Sequence, residues 1–597
     1  MAKPLPLPDW KTPAAVLLLL ALVWGAFGGA LQCGFVYFDD DQYVFENPAV
    51  ARGWTAAGVR WAFTTGHAAN WHPLTWLAHM ADVELFGLDA RAHHAVNVWL
   101  HAMNAGLLFF VLRRLTGRGA LAWWVAALWC VHPLRAESVV WISERKDVLA
   151  ATFGLAALWA YAGRSPARLL WTAGGFALSL MAKPTWVTLP FLLLLLDVWP
   201  LARWKRGAAV RLILEKGPLF ALALASSVAT FLVQRHGGAV GSLDLLPPGT
   251  RVANALVAYA EYVRLLVWPS GLAVLYPYPD GGHAGWRIAA AAAVVLGLSF
   301  FAAAQRRRRP WWTLGGCWFL GTLVPMIGLV QVGRQSWADR YTYLPHVGLI
   351  LAAVWSVDEI VRRAGAQRRW LPRAAGTAAA ALVLALALGA RRQTAFWRTN
   401  ESLFGRALAV TENNLLAHGN LGAYFGKQGQ WDRAEFHFAE VLRQRPDDGG
   451  ARYGLGNAYL LQGRRADALR EYRRAAEDPR QWEAMNNVAW FLATAPDGSA
   501  QAEEALRWAD RARQAAPPEK QAGVWDTLSA ARANAGDFAG AIEAAELGGA
   551  AAAAAGEFPL AERIHARLAR YRQGQPWREA AGGGAAAPLN NPPKTSR

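Results

Sequence analysis

The stretch AAVLLLLALVWGAFGGALQCGFVYFDDDQYVFENP, residues 14–48, joins an apolar run to three consecutive aspartates. The run up to Leu31 is long enough to cross the hydrocarbon core of a bilayer as a helix. Like charges at adjacent positions repel, and a nearby region of low dielectric makes their ionisation costlier. A chain that keeps Asp39, Asp40 and Asp41 in this place either exposes them to water or uses them. We therefore place this acidic cluster at the mouth of a membrane-embedded site.

The apolar residues, 54% of the 597, are concentrated before residue 391. Apolar runs of about 17–20 residues follow one another there, which is the length of a membrane-spanning helix. Arg and Lys cluster between them, as the positive-inside rule expects of cytoplasmic loops. We predict a membrane domain over 1–392 with about eleven spans, near 14–31, 94–112, 120–131, 148–162, 169–182, 185–199, 217–234, 286–304, 311–330, 343–361 and 373–390.

Two long segments are predicted to lie outside the membrane. Loop 32–92 is too polar to cross. Residues 252–268 are apolar enough, but if they crossed, the four consecutive arginines 306–309 would lie outside, against the positive-inside rule. We interpret 252–268 as an interfacial or re-entrant helix. The number of spans is then odd, so a chain that begins on the cytoplasmic side has its C-terminal part outside. This topology predicts that the C-terminal domain lies on the non-cytoplasmic side of the membrane.

The formal net charge of +18 has a simple explanation in the basic loops of a multipass protein, so we predict no nucleic-acid partner. The three cysteines, Cys33, Cys130 and Cys317, lie in or beside spans and form no C-x-x-C pair. Neither a disulfide framework nor a cysteine zinc site is predicted.

Residues 393–575 contain an internal repeat. The sequence around Leu421 returns around Leu455, an offset of 34 residues, and the same offset relates Ala434 to Ala468. This period is typical of tetratricopeptide repeats, whose stacked helix pairs bury a continuous core. Such repeats often bind peptides, but the pattern names no ligand. The tail 576–597 is rich in Gly, Ala, Pro and Asn and is predicted to be disordered.

Two further external motifs carry charge. After His132, the residues Glu137, Trp141 and Glu144 have helical spacing, and Arg145-Lys146-Asp147 follow. The alternatives are an interfacial helix with a satisfied ion pair, or an acid with cations for a phosphate, which Arg binds with two hydrogen bonds. The second motif supplies Arg334, Asp339, Arg340 and Tyr341. It suits a lipid-linked anion or an ordinary aromatic belt with a snorkelling Arg.

The histidines allow a metal site but do not require one. His93, Asn97 and His101 share one helical face at i, i+4, i+8, and paired His can hold a metal. Histidines inside a bundle more often hydrogen-bond to neighbours, so no metal ligand and no certain cofactor are predicted, although a divalent metal stays possible. The chain has no Walker A or G-x-G-x-x-G pattern in a strand-to-helix context, so nucleotide use is unsupported.

Taken in order, these motifs resemble the transmembrane and tetratricopeptide-repeat-containing O-mannosyltransferases, in a bacterial form. The resemblance extends over about 14–575 and is carried by the Asp pair after the first span, Asn70-Trp71-His72-Pro73-Leu74-Thr75, His93-His94 through His101, His132-Pro133-Leu134-Arg135-Ala136-Glu137, Arg145-Lys146-Asp147 and Ala338-Asp339-Arg340-Tyr341. It departs at Glu144-Arg145-Lys146-Asp147, where eukaryotic members have a Gly-Arg-Ala-Asp/Glu type sequence, so neighbouring carbohydrate contacts are expected to differ.

The resemblance implies the GT-C glycosyltransferase fold, an all-α polytopic membrane bundle followed by an α-solenoid. It implies a polyprenyl-phosphate-linked sugar as donor on the non-cytoplasmic face and a protein Ser/Thr hydroxyl as acceptor. In such enzymes an acidic residue of the first external loop acts on the acceptor, which transfers to Asp39 or Asp40 here. A carboxylate suits a general base, and cations suit the departing phosphate.

The candidate residues fall into three groups by expected role. They are Asp39, Asp40 and Glu137 for catalysis; Arg145, Lys146, Arg340 and Arg334 for the donor phosphate; and His72, His93, His132, Asp147, Asp339 and Tyr341 for substrate. Two other functions stay open: a lipid-linked-sugar transferase that acts on a glycan or lipid, and a non-enzymatic membrane scaffold that binds partners through its repeats.

Overall fold

The computed structural model describes residues 11–205, 207–238, 247–330, 333, 335–365, 368, 370–496 and 498–579. Within these ranges the regular structure is helical apart from two short antiparallel strands, β1 (Tyr276–Pro277) and β2 (Gln335–Trp337). The chain divides into two compact units, Met1–Glu412 and Asn413–Ser596. The predicted all-α class is confirmed.

The first unit holds seventeen helices in its described part: α1 (Lys11–Phe27), α2 (Ala56–Thr64), α3 (Pro73–Phe86), α4 (Ala90–Thr116), α5 (Gly119–Cys130), α6 (Ala136–Val140), α7 (Arg145–Tyr161), α8 (Arg168–Ala182), α9 (Leu189–Val198), α10 (Ala209–Glu215), α11 (Gly217–His236), α12 (Pro248–Val267), α13 (Gly285–Ala304), α14 (Pro310–Leu323), α15 (His346–Gly365), α16 (Leu371–Ala395) and α17 (Asn400–Val410).

Five of these helices are long and apolar enough to cross a membrane: α1 with the turn that follows it, α4, α11, α13 and α16. Two other predicted spans, 120–131 and 185–199, correspond to short helices, because α5 has 12 residues and α9 has 10. At a rise of 1.5 Å per residue these helices reach about 18 and 15 Å, against about 30 Å of hydrocarbon. The count of eleven spans therefore stays a prediction.

The segment 252–268 forms α12, and one face of this helix is buried. Tyr262 and Ala258 pack with Phe319 of α14, and Asn254 Nδ2 donates to the carbonyl of Ser336 at 2.7 Å. Helix α12 is thus attached to β2 and α14 by both apolar and polar contacts. Whether it lies at the interface remains a prediction.

The interfacial helix through Glu137, Trp141 and Glu144, one of the two alternatives, does not form as a continuous helix. Helix α6 ends before Trp141, whose backbone is extended, a short 3₁₀ turn covers 142–144, and α7 begins at Arg145. Hydrogen bonds from outside the segment favour this break. Trp141 Nε1 donates to the Phe38 carbonyl at 2.7 Å, and the Trp141 carbonyl accepts from Asn97 at 3.1 Å.

The second unit stacks helix pairs: α18 (Leu415–Lys427), α19 (Trp431–Gln444), α20 (Gly449–Leu461), α21 (Arg465–Ala475), α22 (Trp482–Thr494), α23 (Ala502–Ala515), α24 (Gln521–Asn534), α25 (Phe538–Ala554) and α26 (Phe558–Tyr571). Glycines set their close approach. A Cβ at Gly422 or Gly454 would run into the ring of Phe438, and one at Gly456 into the ring of Tyr472. The repeated small residues are thus explained by packing.

The start of the predicted disordered tail is placed against the repeats. Trp577 packs on two of their apolar cores, and Arg578 donates to the Ala493 carbonyl at 2.7 Å. Residues 580–597 lie outside the described residues.

Candidate functional site

The second aspartate of the acidic cluster, Asp40, is fully buried, and both of its carboxylate oxygens accept hydrogen bonds. One carboxylate oxygen accepts from the Ser143 backbone at 2.9 Å and from its hydroxyl at 2.5 Å, and the other accepts from the Val36 N–H at 3.0 Å. Burial raises the pKa of Asp40 to about 7, and these hydrogen bonds only partly oppose the rise. Asp40 therefore connects the loop that follows α1 to the segment before α7.

The preceding residue, Asp39, has a different environment. It is partly exposed, and its φ of 70° lies in the left-handed region, which costs energy for a residue with a side chain. Burial disfavours the charge of Lys146, but Glu144, Tyr43 and Asp39 together outweigh that effect, and the pKa of Lys146 rises. Asp39 thus combines access to solvent with closeness to a buried cation.

Six buried or nearly buried charges form one connected set, which we call the charge cluster: Glu137, Glu144, Lys146, Asp147, Lys183 and Arg340. Glu144 lies at its centre: it accepts a hydrogen bond from Lys183 at 2.8 Å and forms ion pairs with Lys146 at 3.2 Å and Arg340 at 3.4 Å. These three cations hold the pKa of Glu144 well below its usual range against the effect of burial. With three carboxylates and three cations, the charge cluster is neutral.

Lys183 is a central member that the sequence analysis did not assign. Its ammonium group lies 2.7 Å from Asp147 and 2.8 Å from Glu144. The available signal was its place, a lysine before Pro184 in a tight turn between two apolar runs. A cation that interrupts apolar sequence on the external side is a candidate partner for buried acids.

Aromatic faces cover two of the three cations of the charge cluster. Lys146 Nζ lies 4.4 Å from the ring centre of Tyr43, and the Arg340 guanidinium lies 5.4 Å from that of Trp141 and 5.1 Å from that of Tyr341. Such contacts stabilise a cation that has left water. These aromatic contacts also leave some N–H donors of the cation available to other groups.

Arg340 joins the third predicted motif to the second. Its guanidinium and its backbone N–H both donate to the carboxylate of Glu137, the backbone bond being 2.8 Å long. Asp339 beside it is buried and accepts from the Tyr276 hydroxyl at 2.9 Å. Burial, together with the charge of Glu137, raises the pKa of Asp339 well above its usual range. This corner of the site therefore holds a carboxyl group that favours its neutral form.

His72 also belongs near the charge cluster. It is buried, and burial followed by the charges of Lys146 and Lys183 lowers its pKa far below the usual value. The predicted residues that the fold brings together are therefore Asp39, Asp40, Glu137, Lys146, Asp147, Asp339, Arg340, Tyr341 and His72.

Other predicted site residues form contacts outside the charge cluster. Arg145 binds Asp82 at 2.6 Å, the His93 carbonyl at 2.9 Å and the side chain of Asn97. His132 caps the turn 133–135 with one ring nitrogen and faces the Leu266 carbonyl with the other. Arg334 lies outside the described residues.

The helical histidine set considered for a metal does not form. The Nδ1 of His101 lies 2.7 Å from the Tyr343 hydroxyl and its Nε2 lies 2.9 Å from the Cys130 carbonyl, so both nitrogens have partners. Asn97 is held by Trp141 and Arg145. Helical spacing placed these residues on one face but could not show that other elements occupy it.

An apolar cavity of about 240 Å³ lies between α1, α4 and α5, and it is lined by Thr12, Ala15, Phe109, Gly119, Ala120, Trp123 and Trp124. None of the charged residues above contributes to it. It is therefore separate from the charge cluster.

Comparison with known proteins supports the resemblance found in the sequence. Residues 427–490 match the tetratricopeptide repeat family. Protein O-mannosyl-transferase TMTC1 of Homo sapiens is 24% identical over 514 residues, which cover 74% of this chain and 57% of that protein. Protein O-mannosyl-transferase TMTC3 of Mus musculus is 22% identical over 514 residues, which cover 76% and 54%. The chain spans a little more than half the length of these relatives, and the predicted resemblance to them is confirmed.

Proposed function

We propose, from this similarity and from the charge cluster, that the chain is a membrane glycosyltransferase that moves a mannose-like sugar from a polyprenyl-phosphate carrier to Ser or Thr hydroxyls of a protein. The observation that carries the proposal is the meeting of Asp39, Lys146 and Arg340, which come from three distant external motifs. A lipid-linked donor stays in the bilayer, which accounts for a site at the ends of membrane helices. We propose the periplasmic face of a bacterial inner membrane as its location.

Asp39 is the general base of this proposal. Its carboxylate takes the proton of the acceptor hydroxyl while the hydroxyl oxygen bonds to the anomeric carbon. The bond from that carbon to the phosphate oxygen breaks, and its electron pair leaves with the phosphate. A single displacement of this kind inverts the anomeric configuration. Asp39 suits the role better than Asp40 because its side chain is partly exposed, whereas Asp40 already accepts three hydrogen bonds.

Lys146 and Arg340 stabilise the departing phosphate. Both are held in place by carboxylates and aromatic faces, so little reorganisation is needed as charge develops. The charge cluster is neutral before substrate arrives. Protonation of Glu137 would leave Arg340 in excess, and burial does raise the pKa of Glu137 although Arg340 opposes that rise. Arg145 is a positioning residue here, because its donors hold Asp82, Asn97 and His93.

The central test compares two aspartates. Asp39→Asn should lower sugar transfer by about 10²–10⁴-fold, the usual contribution of a general base, without loss of thermal stability. Asp40→Asn should lower stability and transfer together, because it disturbs the hydrogen bonds to Ser143 and Val36. Transfer is measured by mass spectrometry of a Ser/Thr-rich peptide incubated with membranes and polyprenyl-phosphate-mannose.

Glu46→Gln is the matched control, since Glu46 is an exposed carboxylate of the same loop. It should leave transfer unchanged. Full transfer by Asp39→Asn would contradict the assignment of the base. Absence of peptide modification by the wild-type protein, with an altered glycan or lipid in a deletion strain, would instead favour a different acceptor class.

A further inference from the structure

Three ligand-type side chains meet where the first external loop packs on the start of α4. His79 and Asp82 lie one turn apart on α3, and His93 lies in the first turn of α4. One potential ligand atom from each residue lies within 4.8 Å of the other two, and all three residues are buried. This group is separate from the charge cluster.

The hydrogen bonding of His93 leaves one nitrogen aimed at the group. Its Nε2 lies 3.2 Å from the Gly87 carbonyl, which can only accept, so Nε2 donates there. Its Nδ1 lies 3.3 Å from a carboxylate oxygen of Asp82. A metal ion bound to this Nδ1 and to the carboxylate would take the place of a proton between them.

His79 provides the second observation. It is 0% exposed, and neither of its ring nitrogens has a hydrogen-bond partner among the described residues. A buried imidazole with both nitrogens unsatisfied costs free energy.

We propose that His79, Asp82 and His93 bind a divalent transition-metal ion, with zinc as the best candidate. Zinc–nitrogen and zinc–oxygen bonds of about 2.0–2.1 Å give a tetrahedral edge of about 3.3 Å, which the separation of His93 and Asp82 already matches. His79 closes the third corner by a side-chain adjustment. The carbonyl of Gly87 supports the His93 ligand from behind, as outer groups do in zinc sites.

The ligand set also selects the class of metal. Mg²⁺ and Ca²⁺ require several oxygen ligands, whereas this group offers two imidazoles and one carboxylate. That carboxylate already binds Arg145 at 2.6 Å, so its charge is shared. A hard cation that depends on carboxylate charge is therefore disfavoured, and an ion that binds imidazole nitrogen is favoured. The site would fasten α3 to α4, and it does not depend on the proposed transferase activity.

The experiment measures metal rather than activity. Full-length protein, purified in detergent through a tag without histidines, is stripped with a chelator, equilibrated with Zn²⁺ or Mg²⁺, and passed through a desalting column. Elemental analysis should find one zinc ion per chain and no retained magnesium. Co²⁺ in place of zinc should give the visible absorption of a four-coordinate site.

His79→Ala and His93→Ala should each weaken zinc binding by at least about 10–100-fold. His94→Ala is the matched control, because His94 is a buried imidazole of the same helix outside the group. It should keep the full zinc content. Zinc should also raise the thermal midpoint of the wild-type protein, a readout that does not require the variants to fold. Wild-type protein that retains no zinc, or equal retention by His79→Ala and wild type, would overturn the proposal.

Discussion

Asp39 and Asp40 show how far two neighbouring identical residues can differ. One is partly exposed in a left-handed conformation, and the other is buried with three donors around it. The acidic triplet could be recognised from the sequence as a functional candidate because it follows a span. The difference between Asp39 and Asp40 could not be predicted, because it depends on Ser143, which lies 103 residues from Asp40.

The buried state of Asp40 predicts a pH effect on stability. Its pKa is about 7 in the folded chain and 3.8 ordinarily, so the folded state holds its proton more tightly. This contribution to the free energy of unfolding is complete below about pH 3.8 and declines as the pH rises to about 7. Asp40→Asn should abolish that decline. Thermal unfolding of both proteins between pH 5 and pH 8 measures the difference.

Glu46→Gln serves as the control, because its exposed carboxylate should leave the wild-type pH dependence intact. Parallel pH profiles for wild type and Asp40→Asn would show that Asp40 does not hold its proton more tightly when folded.

At the scale of elements, the repeats were predictable and the segment before α7 was not. A 34-residue period is a local property, and the glycines of α18 and α20 lie where it requires them. The break at Trp141 is imposed from outside. Because the Phe38 carbonyl and Asn97 bind Trp141, the helical spacing of Glu137 and Glu144 does not correspond to a continuous helix. Lys183 was missed for the same reason, since its partners belong to another element.

The contact between α14 and α15 gives a prediction for helix packing in the first unit. A Cβ at Gly315 would run into the Gly348 carbonyl oxygen and would lie 2.9 Å from Ala352 Cβ. Gly315→Ala should therefore destabilise the first unit by about 1–3 kcal/mol, the usual cost of overpacking. Unfolding of the full chain in detergent measures this.

Gly321→Ala on the same α14 is the matched control, because a Cβ there meets no atom within 4 Å. It should have little effect on stability. If the two variants were equally stable, the close approach of α14 and α15 would not depend on Gly315.

For the whole molecule, the all-α class and the two parts of different character followed from the distribution of apolar residues. The number of spans stays a prediction, because the helix within an apolar run can be shorter than the run, as α9 is with 10 residues. Length of run and length of helix differ where Pro or a turn intervenes, as Pro184 does before α9.

The predicted orientation can be tested with single cysteines on a background without native cysteines. Cysteines at the exposed positions 284 and 428 should react with a membrane-impermeant thiol reagent in intact cells, provided the outer membrane is permeabilised. A cysteine at 204, in a predicted cytoplasmic loop, should react only after lysis. Protection of residue 428 in such cells would place the repeats on the cytoplasmic side.

The break at Trp141 also bears on the order in which the chain is made. Phe38 and Asp40, which hold that segment, leave the ribosome 103 residues before Trp141 and Ser143. The Phe38 carbonyl and the Asp40 carboxylate are thus synthesised before the segment whose hydrogen bonds they accept. Arg340 follows Glu137 by a further 203 residues. Until that part is inserted, Glu137 lacks its guanidinium partner, so the finished charge cluster marks a membrane unit whose biosynthesis is nearly complete.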